Sequence, residues 1–209
     1  MAKRRERMLD AAYRLFCKKS ITSVSFNEIA EEAGCGKRTI IRYFDSKPRL
    51  VIAVAVRQWK LFMEKNHMRR PKADFEGMTA ADIFEFYLDS FLELYKTNKD
   101  LLRFNQFFNI YVLSEGVQKE DLGAYGAMIT ELKHEFHNMY EKAKKDGTIR
   151  TDIPEKEMFS TTLHLMLAVI TRYAVGLVYR PENAFDDIRE LQFQKKAILS
   201  KYKSDIPES

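Results

Sequence analysis

The sequence contains few of the residues that interrupt or cross-link a polypeptide. Its 209 residues include 8 glycines, 5 prolines and 2 cysteines. The scarcity of glycine and proline excludes collagen-like and low-complexity chains, and apolar residues recur instead at the spacing of helices. The two cysteines, Cys17 and Cys35, are too few for a disulfide framework and are typical of a reducing compartment. We therefore expect an all-α protein of the cytoplasm.

Long apolar runs are scarce as well. The most apolar window, residues 163–178, is shorter than the ~20 residues that a membrane-spanning helix needs, and it contains His164 and Arg172. The basic residues near the start of the chain are not followed by an apolar run, so no signal peptide is predicted. These features favour a soluble protein that has no membrane partner.

Acidic residues do not balance the basic residues in the first quarter of the chain. Residues 1–50 contain 12 Lys/Arg and 6 Asp/Glu, whereas the remainder contains 23 and 24. The net charge of +5 therefore originates in this short segment. Concentrated positive charge favours a polyanionic partner such as nucleic acid, although a basic surface that is merely solvated would give the same composition.

Two short helices joined by a glycine turn are predicted within this basic segment. Ser25 and Glu28 have the spacing of a capping box, in which each side chain accepts a hydrogen bond from the other residue's backbone amide. Gly34 is placed to end the first short helix in a left-handed conformation, and a second is predicted over 37–44. A longer helix over about 5–19 precedes them. This arrangement is typical of a helix-turn-helix DNA-binding domain over residues 1–50.

The second short helix carries residues suited to DNA contact. In helix-turn-helix proteins the first turn of this helix meets base edges in the major groove, and here that turn contains Lys37, Arg38 and Thr39. Arginine binds guanine through two hydrogen bonds, and threonine contacts a thymine methyl group or a phosphate. Arg42 and Tyr43 follow one turn later, where phosphate contact is expected. An amphipathic helix with a solvated basic face is the structural alternative.

Three segments of this region resemble the signature of the TetR (tetracycline-repressor-like) family: SFNEIAEEAG at 25–34, KRTI at 37–40 and YFDSK at 43–47. The resemblance implies a three-helix helix-turn-helix domain at 1–50 and a helical ligand-sensing and dimerisation domain at 51–209, about nine helices in all. It further implies a sequence-specific transcriptional regulator, a repressor that a small molecule releases from its operator. The DNA contacts that it implies fall on Ser25, Asn27, Lys37, Arg38, Thr39, Arg42, Tyr43 and Lys47.

The sequence departs from the family pattern at three positions. Ile41 stands where the family often has a phosphate-contacting tyrosine, so this contact is not carried over. Gly36 replaces a common serine cap, and Cys35 replaces a common apolar residue of the turn. A redox role for Cys35 is conceivable, but a small buried thiol is the expected structure.

The last two predicted helices, over about 155–179 and 183–202, are the candidates for a homodimer interface. Apolar residues cover more than one face of the first, so one face can pack within the chain and another against a partner. The resemblance implies that two such helices from each subunit form a four-helix bundle. A two-fold dimer would bind a palindromic double-stranded operator with half-sites ~34–36 Å apart, or a multiple of that distance. In the second helix the apolar stripe consists of Phe185, Ile188, Leu191, Ile198 and Tyr202.

Aromatic residues are frequent in the middle of the chain. Each one alone is typical of a hydrophobic core, but as a group they suit a pocket for an apolar or aromatic small-molecule effector. We predict that the effector shifts the helix over 50–68 and thereby changes the separation of the two recognition helices. The candidate pocket residues are Tyr87, Phe91, Phe104, Phe108, Tyr111, Phe136, Tyr140, His164 and Tyr173.

Other classes of function find little support in the sequence. His134 and His137 are three residues apart on a predicted helix, but no carboxylate or cysteine stands at a matching zinc-ligand spacing, so no metal site is predicted. Residues 34–37 lack the earlier glycine of a phosphate-binding loop, and no catalytic motif occurs, so neither an enzyme activity nor a cofactor is predicted. A DNA-binding architectural protein without a ligand remains the alternative, and its second domain would be packed without a cavity.

Overall fold

The computed structural model describes residues 2–69, 72–177 and 186–204, and within these ranges the chain forms nine α-helices. Extended pairing in the described part of the chain is limited to one bridge between Ile149 and Lys203. The all-α prediction is therefore confirmed. A short 3-10 helix, Lys72–Phe75, lies between the fourth and fifth helices. The α-helices are α1 (Ala2–Lys18), α2 (Phe26–Glu32), α3 (Lys37–Phe44), α4 (Lys47–Arg69), α5 (Ala80–Thr97), α6 (Lys99–Ser114), α7 (Gly123–Asp146), α8 (Glu155–Val175) and α9 (Asp187–Tyr202).

The helices are distributed over two compact units. The first unit contains residues 1–63 and 100–129, and the second contains residues 64–99 and 130–209. Helices α4 and α7 each contribute residues to both units. The sequence-based boundary after residue 50 separates a DNA-binding domain from a ligand-sensing domain, and it is not a division by packing. This boundary stays a prediction.

The first unit is organised around the buried face of α1. Helix α1 packs against α2, and α2 packs against α3. Met8, Ala12 and Phe16 recur at the spacing of one helical face and are fully buried. Helix α6 adds an aromatic layer, in which the Phe104 ring lies 5.6 Å from the ring of Tyr13 and 6.3 Å from that of Phe16. This core holds α2 and α3 in place, because neither is long enough to be stable alone.

In the second unit, α5 packs against both α8 and α9, and α8 packs against α9. Phe84 of α5 is the centre of this core, with ring centroids 6.2 Å from Phe136 and 5.9 Å from Tyr202. A charged contact also joins α5 to α9, since the Lys195 ammonium lies 2.7 Å from a carboxylate oxygen of Glu85 and 2.7 Å from one of Asp89.

Two helix ends differ from the sequence-based expectation at the predicted dimer helices. Helix α8 ends at Val175, four residues before the predicted end at Tyr179, because Gly176 adopts φ 114°, which continues no right-handed helix. Helix α9 begins at Asp187 rather than at Asn183, since Asp186 is its N-cap and accepts a hydrogen bond from the Arg189 amide. The predicted helical residues 178, 179 and 183–185 lie outside the described residues.

Candidate nucleic-acid interface

The start of α2 is fixed by the predicted capping box. The Glu28 amide donates to the Ser25 hydroxyl at 3.2 Å, and the Ser25 amide donates to the Glu28 carboxylate at 2.8 Å. The other carboxylate oxygen of Glu28 accepts a hydrogen bond from the Lys19 ammonium at 2.7 Å. These contacts tie the first turn of α2 to the residues that follow α1, and so they fix where the helix-turn-helix begins.

The contacts of Glu28 give the fold a pH dependence. The Lys19 ammonium, followed by the Ser25 amide and hydroxyl, lowers the pKa of Glu28 from its ordinary value of 4.5 to about 2. Because the folded pKa is depressed, this stabilisation is present above about pH 4.5 and is lost as the pH falls towards 2. We expect Glu28→Gln to lower the melting temperature at pH 7 and to melt like the unaltered protein near pH 2, as measured by circular dichroism. Glu31→Gln on the same helix is the control, and an unchanged melting temperature for Glu28→Gln at pH 7 would contradict the assignment.

The turn between α2 and α3 has the geometry that the sequence predicts. Gly34 has φ 62°, a left-handed conformation that glycine adopts without strain. The Cys35 amide then donates to the Ala30 carbonyl at 2.9 Å, which closes the end of α2. Gly36 is the N-cap of α3 and supplies no side-chain hydrogen bond. Cys35 is half-buried, so the structure places it neither in the core nor in full contact with solvent.

Helix α3 has one buried face and one exposed basic face. Ile40 is fully buried and Phe44 nearly so, and their spacing of four residues directs both side chains to the core. Lys37, Arg38 and Arg42 are exposed on the rest of the helix. The core contacts of α3 therefore set which of its side chains can meet a partner.

The positive charge of this face is not neutralised by described parts of the protein. Other basic residues of the first unit do have acidic partners: Arg14 pairs with Glu32, and Arg49 pairs with both Asp45 and Asp121. By contrast, neither Lys37, Arg38 nor Arg42 forms an ion pair with a described residue. The uncompensated charge lies on the exposed helix, where it is available to a polyanion.

Lys47 has a different environment from the cations of α3. It is half-buried, and its ammonium donates to the Thr22 carbonyl at 2.9 Å and lies 5.9 Å from the Tyr111 ring centroid. Burial lowers the pKa of this ammonium. Lys47 thus joins the start of α4 to the segment before α2, and its predicted phosphate contact would have to be made by its remaining donors.

The other predicted DNA contacts lie on α2 and α3. Ser25 and Asn27 are exposed at the first turn of α2, whereas Thr39 and Tyr43 are half-buried on α3.

The exposure of Ile41 was not predicted from the sequence. It retains 38% of its accessible surface and lies on the helix surface beside Lys37 and Arg38. The period of α3 contained the signal, because Ile41 falls outside the face that Ile40 and Phe44 share.

The predicted pocket residues fall in both units. In the first, Phe104, Phe108 and Tyr111 are buried on one face of α6. In the second, Phe136 and Tyr140 are buried, and the Tyr140 hydroxyl donates to the carbonyls of Thr151 and Ile153. Three more are half-buried, namely Tyr87, Phe91 and Tyr173. His164 of α8 is exposed.

Tyr87 and Tyr173 have polar partners within the second unit. The Tyr87 hydroxyl donates to the Glu135 carbonyl at 3.1 Å, and the Tyr173 hydroxyl is hydrogen-bonded to the Glu190 carboxylate. These contacts, like those of Tyr140, explain the tyrosines as parts of the fold. The role of the nine residues in effector binding stays a prediction.

The exposed surfaces of α8 and α9 include large apolar side chains. Leu165 and Val175 of α8 are about half exposed, and Phe193 of α9 is 70% exposed. Of the predicted apolar stripe, Leu191, Ile198 and Tyr202 are buried within the single chain and Ile188 is half-buried, so most of the stripe belongs to the chain's own core. Phe185 lies outside the described residues. Phe193 lies on a different face of α9 from that buried stripe. Its exposure could have been anticipated from the sequence, because its neighbours at 192 and 194–196 are glutamines and lysines.

The described residues were also searched for a membrane-spanning helix and for a metal site. Helix α8 is long and apolar enough to cross a membrane by length and composition, a test that core helices of soluble proteins also pass. Within residues 2–69, 72–177 and 186–204, no three His, Cys, Asp or Glu side chains are grouped so that they could hold a metal ion.

The basic segment is similar to a described protein family. Residues 8–54 match the model of the bacterial regulatory proteins of the tetR family. An uncharacterized HTH-type transcriptional regulator of Mycobacterium tuberculosis is 47% identical over 53 residues, which is 25% of this chain and 26% of that protein. The chain thus spans about a quarter of the length of this curated relative, and the similarity is concentrated in a short segment.

Solved structures match over nearly the whole chain. A transcriptional regulator from Saccharomonospora viridis, in complex with choline, superposes with a TM-score of 0.73 at 17% identity and covers 98% of this chain and 100% of that one. A regulatory protein in the tetR family from Rhodococcus gives a TM-score of 0.72 at 14% identity over 96% and 97%. At these identities the likeness shows the fold, and it extends to both compact units.

Proposed function

We propose that the chain is a cytoplasmic transcriptional regulator of the TetR family that binds a specific DNA sequence, since residues 8–54 match the model of that family. The observation that carries the proposal is the exposed basic face of α3. Lys37, Arg38 and Arg42 are exposed on the same helix whose Ile40 and Phe44 are buried, and no described carboxylate neutralises them. A recognition helix inserted into the major groove requires this arrangement, with a buried face that fixes its orientation and donors that face the bases.

The functional unit is a homodimer formed through α8 and α9. The partner covers Leu165, Val175 and Phe193, since large apolar side chains exposed on neighbouring helices are typical of interfaces. Ala168 and Ala197 are exposed on the same two helices and allow close helix packing. A two-fold dimer presents two copies of α3, so it recognises an inverted repeat in double-stranded DNA.

The regulator acts as a repressor that an effector releases from DNA. The effector is a mainly apolar or aromatic small molecule with both a hydrogen-bond donor and an acceptor. Support comes from buried polar atoms of the first unit: Asn105 Oδ1 and Trp59 Nε1 have no hydrogen-bond partner among the described residues. A ligand or ordered water would satisfy such atoms, since leaving them unpaired is unfavourable.

Helix α4 couples the effector to DNA. It begins next to α3 in the sequence and contributes residues to both units, so a shift of α4 changes the position of α3. A coupling free energy of roughly 1–3 kcal/mol would change operator affinity about 5–150-fold. The structure solved in complex with choline shows that one protein of this fold takes a small organic ligand.

Substitution of Arg38 tests whether α3 recognises bases directly. We expect Arg38→Ala to weaken binding to a duplex selected by the protein by ~1–3 kcal/mol and to weaken binding to a shuffled duplex far less, because a bidentate contact to guanine is lost only in the correct sequence. Fluorescence anisotropy at fixed ionic strength measures both affinities, since phosphate binding depends on salt.

Two further lysine variants separate base contact from charge. Lys47→Ala should weaken binding to both duplexes by the same factor, as the loss of a phosphate contact does. Lys133→Ala removes one exposed charge from α7 and should change neither affinity. An equal loss on both duplexes for Arg38→Ala would contradict base reading, and a protein with no preference for any duplex would contradict the proposed function.

A further inference from the structure

Ile41 is an apolar residue exposed on the basic face of α3. The preceding residue, Ile40, has the same side chain and is fully buried, whereas Ile41 keeps 38% of its surface accessible. The exposed fraction is therefore a property of the position and does not reflect loose packing of the whole helix. On the helix surface Ile41 neighbours Lys37 and Arg38, which lie four and three residues before it.

The chemistry of this position limits what Ile41 can contact. Its neighbours carry donors for phosphates and base edges, but an isoleucine side chain offers neither a donor nor an acceptor. It stabilises a complex only by burying apolar surface. In the major groove, the apolar group that a base pair presents among its donors and acceptors is the methyl group of thymine.

We propose that Ile41 reads a thymine in each half-site by packing against its 5-methyl group. The inference rests on the proposed DNA-binding function and adds a specificity-determining residue to it. Lys37 and Arg38 hold the helix in register through polar contacts, and Ile41 selects a T·A pair at a neighbouring position.

The contact is tested by removing the methyl group from the DNA rather than from the protein. In the selected duplex each thymine is replaced by uracil, one symmetric pair at a time, and affinity is measured by anisotropy with the full-length protein. Removing one buried methyl group changes a binding constant about fourfold, so a symmetric pair should weaken binding roughly fifteenfold. This loss should occur for the unaltered protein and disappear in Ile41→Ala.

Two controls identify the source of the methyl contact. Thr39→Ser removes the other methyl group on this face but keeps the hydroxyl, and it should leave the uracil penalty at the Ile41 position intact. Replacing that T·A pair by 5-methylcytosine·guanine, compared with cytosine·guanine, should restore part of the affinity because the methyl group returns.

The outcomes distinguish this inference from the proposed function. A duplex that is bound selectively, but whose thymines can all be replaced by uracil without loss, overturns the role of Ile41 and leaves sequence-specific binding intact. A uracil penalty that persists unchanged in Ile41→Ala overturns it as well. A protein that prefers no duplex overturns both.

Discussion

Replacing Phe193 by aspartate is expected to convert the dimer into monomers and to abolish tight operator binding. Phe193 is 70% exposed in the single chain, and an aromatic side chain at the centre of an interface typically contributes ~2 kcal/mol or more. Because the interface is two-fold, the substitution removes that contribution twice and buries two unpaired charges. The dimer dissociation constant should therefore rise by roughly three orders of magnitude, at 1.4 kcal/mol for each factor of ten.

Sedimentation equilibrium measures this change directly, and circular dichroism checks that the helices remain. Leu113→Asp is the matched control, since Leu113 is even more exposed, at 83%, but lies on α6, which we do not assign to the interface. That variant should remain dimeric. A Phe193→Asp protein that sediments as a dimer would place the interface elsewhere, and a monomeric unaltered protein would contradict the dimer itself.

The second large effect is expected from Ile40→Ala, which should lower the free energy of unfolding by ~2–5 kcal/mol. Ile40 is fully buried in the first unit, and its truncation leaves a cavity against the helices that hold α3. The recognition helix should then fray, so DNA affinity falls as well. Urea denaturation followed by circular dichroism measures the stability change.

Ile41→Ala is the internal comparison for this experiment. The same substitution one residue along the helix removes a side chain that is 38% exposed, so it should cost ~1 kcal/mol or less. The two variants together separate stability from recognition: Ile40→Ala should lose both, and Ile41→Ala should lose mainly the thymine preference. Equal destabilisation by the two substitutions would show that the buried face of α3 is assigned wrongly.

Much of the helix-turn-helix segment could be predicted from local sequence because its signals are local. The Ser25–Glu28 capping box and the left-handed Gly34 both occur as predicted, since each depends on residues within one turn of helix. The end of α3 was also predicted correctly. Asp45 takes φ 67° there and pairs with Arg49, a detail that the break in the apolar pattern does not reveal.

The exposed surface of the second unit was harder to predict because it depends on tertiary packing. The apolar stripe of α9 made this helix a candidate for the dimer interface, but α5 and α8 pack against α9 within the chain, and Phe84 packs on Tyr202. Periodicity shows that a helix has an apolar face but not what covers it. Phe193 became a candidate only when the phase of α9 was known.

The environment of Lys47 in the first unit likewise depends on a tertiary contact that the local sequence does not reveal. Its position matches a family phosphate contact, and yet its ammonium donates to the Thr22 carbonyl, 25 residues earlier in the chain. A contact between residues this far apart in the chain cannot be predicted from the residues next to either of them. Ser25, Asn27, Arg38 and the other predicted contacts therefore stay predictions until DNA is bound.

Selection of bound duplexes from a random DNA pool by the purified protein tests the central claim most directly. The account predicts enrichment of an inverted repeat whose half-sites are separated by about one helical turn, ~34–36 Å, or a multiple of it. It also predicts that each half-site contains a guanine for Arg38 and a thymine for Ile41. Recovery of a pool as random as the starting one, with equal affinity for all duplexes, would contradict the account.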